Sequence, residues 1–464
     1  MQAIKRTTGI ILTAALSAML FAGCSNNSNS SETGGNPSSP AASGGEGSAP
    51  PASDKEVVVL KYAVSADQAA RQSTKDLLAL VEKKLGNVKL EPIVIPGEGA
   101  EWNKKVTISL MAGDEMDVLY QNATTYQKFA TANLIEPLDE MISQDNYDVD
   151  SIYGSSISKY NDKIYMLPAF RDVHVTMYNK NLFDEAHVPY PDNATWTWDK
   201  YVETAQAISK LGKGTYGSYM LDWDNYFMFK ARQMKVPEYK PDGTSNYDDP
   251  AFAESMKFYG DLGNELKVQP DFITFKSKKM PWDTFLTTNN YGMFVVGNWA
   301  VQSAMDKKQY PRDWKLGVAI MPQIDAGGKT VMGIMGGYSV SSTSKHKKEA
   351  YEAVKVLAEL QWTLPGNIPA RVDLSAEEVN SIFQPMVDGL KDDGITVEEL
   401  KAAILNPSLD IVSEKIVGPG MTQITSLIMS EGELYATKQR TLEQTMKELK
   451  EKADKAIAED QSTP

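Results

Sequence analysis

Residues able to hold a polar solute recur along this chain wherever an apolar run ends. Asp67 and Gln68 follow the run 57–64, and Gln121 and Asn122 follow 117–120. Phe170 and Arg171 sit just after Pro168, and Trp223, Asp224 and Tyr226 fall together after 216–221. Asn298 and Trp299 follow 291–296, Tyr338 follows Gly336 and Gly337, and Arg371 closes the segment 365–371. Amides and carboxylates satisfy hydroxyl groups, while aromatic faces cover the C–H patches of a sugar ring. The mixture therefore suits a polar, non-ionic solute such as a carbohydrate. Several of these residues also have a plainer use. Asp67 could cap the following helix, and Trp299 could open one and pack inward. Trp196 and Trp198, in Thr-Trp-Thr-Trp-Asp, read as core or capping residues, and Tyr178 as a buried strand residue.

Other chemistries are thinly supplied. The three histidines, His174, His187 and His346, are scattered, and HExxH, Walker-type and GxSxG patterns are absent from the sequence. No metal site, cofactor or catalytic residue is expected. Asp248–Asp249 and Asp392–Asp393 lie in turn-like contexts and read as solvated surface, not as the facing acid pair of a glycosidase. The formal charge of −14 opposes nucleic acid and anionic lipid as partners. The bland use of that acidity is solubility.

The first 54 residues read as targeting and tether. Lys5 and Arg6 precede a 12-residue apolar run, 10–21, which suits a signal peptide and is shorter than the roughly 20 residues a bilayer span needs. It ends at Phe21-Ala22-Gly23-Cys24, which resembles a bacterial lipobox; residues 1–23 would be removed and Cys24, the one cysteine, lipidated. Removing Lys5 and Arg6 takes the charge from −14 to −16. Residues 25–53 are almost entirely Ser, Asn, Gly, Pro and Ala, a flexible tether whose coil spans roughly 30 Å. The linker thus covers 24–54, and the expected location is the outer face of the cell membrane.

The remaining 410 or so residues exceed one ordinary core and suggest two lobes. A buried parallel strand (57–64), a helix with Leu77, Leu78, Val81 and Leu85 on one face, and an edge strand interrupted by Pro92 open the body. A second helix (102–112) and a third strand (117–120) complete a strand–helix–strand–helix–strand pattern, the mark of a parallel α/β sheet. In such sheets the ligand crevice lies beyond the carboxyl ends of the strands.

From Trp102 to Tyr120 (WNKKVTISLMAGDEMDVLY), and again at Leu134–Asp139, Lys163–Pro168, Met177–Phe183, Tyr291–Phe294 and Gly297–Trp299, the chain resembles family 1 extracellular solute-binding proteins, the maltose-binding type. Gly336–Tyr338, the helix 347–360, Asn367–Arg371 and the last helix, 441–458, follow in the order of that family. The resemblance implies a two-lobed α/β fold of the periplasmic-binding-protein type II class. Strands would cross near 168–173, 331–337 and 365–371. Lobe one would hold 55–170 and 336–366, and lobe two 171–335 and 367–464. It further implies a monomer that closes on a sugar or oligosaccharide and hands it to the permease subunits of an ABC importer, whose energy comes from a separate nucleotide-binding subunit. The rival readings are an anchored extracellular carbohydrate-active enzyme and a ligand sensor for a membrane receptor.

Overall fold

A computed structural model describes residues 56–97, 99–122, 125–212, 214–363 and 368–462. The leader, Cys24 and the tether lie outside the described residues. The strands are β1 (Val58–Ser65), β2 (Val88–Ile95), β3 (Val118–Asn122), β4 (Leu167–Asn179), β5 (Tyr216–Ser218), β6 (Tyr291–Gly297), β7 (Leu316–Ile320), β8 (Thr330–Val340) and β9 (Asp410–Ser413). Their order is β2-β1-β3-β8-β4-β6-β5, with β7 also on β4 and β9 also on β8.

The opening βαβαβ unit follows from its sequence. Helix Gln72–Leu85 buries Leu77, Leu78 and Val81 and stops at Gly86, whose φ of 74° suits glycine. β2 carries Pro92 and stands at the sheet edge, where a missing N–H costs no ladder bond. β1 pairs in parallel with β2 and β3. Alternation of side chains divides the buried residues between two faces: Leu60, Tyr62 and Val64 enter one cluster with Tyr338 and the 347–360 helix, while Ala63 and Leu119 enter another with Trp102 and Phe129.

A separate, larger core gathers Val175, Met177, Trp196, Trp198, Phe294 and residues as late as Ile457. Trp196, Trp198 and Tyr178 are buried within it, as expected. The two regions share two long strands. β4 pairs with β8 through residues 167–173, then with β6 and β7 through 174–179. β8 pairs with β3 and β4 at its end and with β9 at its start. The described part of the third crossing runs beside β4, where Arg171 N donates to Ile368 O (3.0 Å) and Ala370 N to Ala169 O (3.3 Å).

Close approach of β4 and β8 requires a missing side chain. A β-carbon on Gly337 would collide with the backbone carbonyl of Leu167. Gly337→Ala is expected to destabilise the protein by about 1–3 kcal/mol, read as a lower urea midpoint at unchanged slope.

Candidate ligand cleft

The residues facing the junction of the two cores come from one side of β4. Phe170, Asp172 and His174 alternate along that strand and therefore share a face. Opposite Phe170 in the ladder stands Gly336, and the Phe170 ring occupies the space a side chain there would take. Tyr120, on β3, lies parallel to the Phe170 ring at 6.1 Å and 3°. Opposite His174 stands Gly297, the last residue of β6. A β-carbon on Gly297 would lie 2.9 Å from Asp172 Oδ1 and would collide with the Trp299 indole. Two glycines thus make room for an aromatic pair on one side of Asp172 and a tryptophan on the other.

Asp172 is the electrostatic centre of this face. Its Oδ1 is buried without a hydrogen-bond partner. Burial, reinforced by the nearby Glu414 carboxylate, pushes its pKa up to about 8. His174 is buried, and burial lowers its pKa against the opposing pull of Glu414. Its Nδ1 is 3.3 Å from Glu414 Oε2 without hydrogen-bond alignment. An imidazole held neutral makes this a weak ion pair.

Glu414 follows β9, whose parallel pairing with β8 brings it here; its N–H donates to Gly333 O (3.1 Å). Arg232 donates to the Glu414 carbonyl and, at 2.8 Å, to the Glu238 carboxylate. Next in the chain, Lys415 donates to Asp224 Oδ1 at 2.8 Å. That bond ties the segment to the turn bearing Trp223 and Tyr226, whose rings stack at 5.8 Å and 3°. Trp223 lies 6.3 Å from Trp299, and Trp282 meets Trp299 edge-on at 4.8 Å. Trp223, Trp282 and Trp299 are each half-buried, so part of every ring stays accessible.

The structure divides the expected site residues. Phe170, Trp223, Asp224 and Trp299 gather about Asp172, and Asn122 shares the Tyr120 face of β3. Asn122 accepts a hydrogen bond from Thr125 Oγ1 (3.3 Å). Asp67 and Gln68 lie in the helix Ala66–Ala70; Gln68 Oε1 accepts from Ser65 N (3.0 Å), and the Asp67 side chain is outside what is described. Gln121 points to the opposite face from Tyr120 and is fully buried, its amide unpartnered.

Four others turn inward, where each finds a partner within the protein. The Tyr338 hydroxyl donates to Gln361 Oε1 (2.6 Å), and that of Tyr226 to Val295 O (2.6 Å). Asn298 clamps β4, accepting from Val173 N (2.7 Å) and donating its own N–H to Val173 O (2.9 Å). Arg171, on the other side of β4 from Asp172, donates to the carbonyls of Pro369 (2.9 Å) and Arg371 (3.4 Å), and burial lowers its pKa to about 10. Arg371 makes two bonds to Asp373, at 2.8 and 2.7 Å, which raise its pKa further.

Tyr120, Asp172, His174, Trp282, Glu414 and Lys415 are the residues of this candidate site that sequence reasoning did not name. Asp172 and His174 did carry a signal: they interrupt the otherwise apolar LPAFRDVHVTMYN. A concavity of about 590 Å³ along β2, lined by Lys61, Ile93, Lys105, Ile108 and Met116, contains none of these residues. No cluster of potential metal ligands occurs among the described residues.

Residues 65–361 match the bacterial extracellular solute-binding protein family. The chain belongs to that family. It is 24% identical over 293 residues to a binding protein of Brucella abortus (strain 2308), covering 60% of this chain and 68% of that one. Among solved structures, a sugar transporter of Rhizobium etli in an open conformation superposes with a TM-score of 0.72 at 22% identity, over 86% of this chain and 99% of that one. An ABC substrate-binding protein of Listeria monocytogenes in complex with cycloalternan gives 0.69 at 21%, over 87% and 100%. The fold is thus the two-lobed α/β fold of periplasmic binding proteins, as the sequence suggested.

Because the pKa of Asp172 is raised from 3.8 to about 8 on folding, the native state binds a proton that the unfolded chain has lost across that window. Its contribution is therefore fully present below pH 4 and lost as pH rises through 8. Asp172→Asn is expected to raise the melting temperature at pH 8.5 and to raise it much less at pH 5. An equal gain at both values would count against a buried, protonated Asp172.

Proposed function

We propose that this family member captures a carbohydrate between its lobes and passes it to the permease subunits of an ABC importer. The observation that carries the reading is the face of β4. There an unpartnered carboxyl oxygen, on a strand shared by both cores, lies between the Tyr120–Phe170 pair and the Trp299 indole. Hydroxyl groups would complete the carboxyl, and the aromatic rings would cover the sugar's C–H faces. The Rhizobium and Listeria proteins, described as a sugar transporter and as bound to cycloalternan, support the same class of solute.

On this reading lobe one comprises 55–170 and 336–366, and lobe two 171–335 and 367–464. A solute touching both stabilises the closed arrangement by its differential affinity. The protein acts as a monomer, held to the outer face of the membrane by lipid on Cys24. Among the described residues no helix is long and apolar enough to cross a membrane, and a lipid at Cys24 would supply the attachment.

A thermal-shift screen against a carbohydrate panel tests the solute class. A ligand at 100 times its Kd adds about 2.7 kcal/mol of stability; shifts confined to a non-carbohydrate class would refute the assignment. Trp299→Ala is expected to weaken binding of the best sugar by about tenfold or more, the scale of an aromatic contact beyond its buried area, measured by calorimetry. Cys24→Ser is expected to move the protein from the membrane pellet to the medium on cell fractionation; retention in the pellet would exclude the lipid anchor.

A further inference from the structure

The charges around the cleft narrow the solute further, on the reading that it is a carbohydrate. The Glu414 carboxylate acts on the Asp172 carboxyl and lies 3.3 Å from Nδ1 of His174, which shares the Asp172 face of β4 and is held neutral by burial. Among the described residues, the cations near this face are engaged within the protein. Lys415 is bound to Asp224, Arg371 to Asp373, and Arg232 to Glu238 and the Glu414 carbonyl. Arg171 points to the other side of β4, into the carbonyls of the third crossing. β8 supplies this face with no charged side chain, and β3 supplies the Tyr120 phenol, which burial keeps protonated.

Arg171 or Arg371 in the cleft would favour an acidic sugar, since a guanidinium there would pair with a carboxylate. The structure removes that support, because both guanidinium groups are satisfied within the protein. A uronic acid would set its carboxylate beside Glu414 and beside an Asp172 that already holds a proton because a second charge is costly there, in a setting too dry to screen the repulsion. An ammonium group has the opposite effect: it takes the place of the Asp172 proton, which passes to solvent, and completes the unpartnered Asp172 oxygen beside Glu414.

We propose that the cleft takes a sugar bearing a free amino group, with the ammonium held by Asp172 and Glu414, and rejects the corresponding uronic acid. The neutral sugar binds between these limits, through the aromatic walls and hydroxyl contacts that all three share.

The test is a matched trio of disaccharides of glucosamine, glucose and glucuronic acid, titrated calorimetrically into the full mature protein at pH 6.5. The amino sugar is expected to bind at least tenfold more tightly than the neutral one, and the uronic form at least tenfold more weakly. Asp172→Asn and Glu414→Gln should each reduce the amino-to-neutral ratio to within about twofold; the melting temperature of each variant establishes that it is folded. Equal binding of amino and neutral forms, or uronic binding as tight as neutral, overturns the charge selection while leaving the carbohydrate assignment standing. Failure of every sugar, with a shift from another solute class, overturns both.

Discussion

β4 serves two hydrophobic cores and turns polar at the point where it leaves one and enters the other. β4 does this within three residues. It packs Leu167 and Ala169 in one core and Val173 and Val175 in the other, and between them it carries Arg171 and Asp172 on opposite sides. Hydrogen bonding to β8, β6 and β7 supplies the backbone partners, so the polar side chains can be placed without loosening the ladder. The rest of the site is arranged around this transition, with Tyr120 and Phe170 closing it from one core and Trp299 from the other.

The two polar side chains are handled differently. Arg171 donates to carbonyls of the third crossing, which joins that crossing to β4 and directs the arginine away from the Asp172 face. Asp172 is left incomplete. A buried carboxyl oxygen without a partner is destabilising for the folded chain by itself, and a ligand that supplies the missing donor recovers that energy on binding. On the proposed function, the incomplete hydrogen bonding of Asp172 is a source of affinity, and the completed bonds around it, from Asn298 and Lys415, keep it in place.

Much of the scaffold was legible in the sequence because local pattern decides it. The helix Gln72–Leu85 shows its apolar face and its glycine stop, β2 its edge proline, and β4 its long apolar run. The site was only partly legible, because residue type reports polarity but not direction. Tyr338, Tyr226 and Asn298 carry groups that a sugar could use, yet each finds a partner inside the protein. Gln121 and Tyr120 are neighbours whose directions divide by the pleat of the strand, and Tyr120, which the sequence reading did not name, is the one beside Phe170. Asp172 and His174 were visible as breaks in an apolar run. Glu414 had no local mark, since it reaches Asp172 only through the pairing of β9 with β8, more than two hundred residues along the chain.

That late strand has a consequence for how such a protein diversifies. β9 is four residues long and half-buried throughout, and the segment after it sets half of the charge at the cleft. The crossing strands, by contrast, are held by glycines and paired backbones that tolerate little change. Substitutions at 414 and 415 can therefore recast which solutes are admitted while the scaffold is inherited intact, so that a duplicated gene could acquire a new nutrient through a very short stretch of coding sequence.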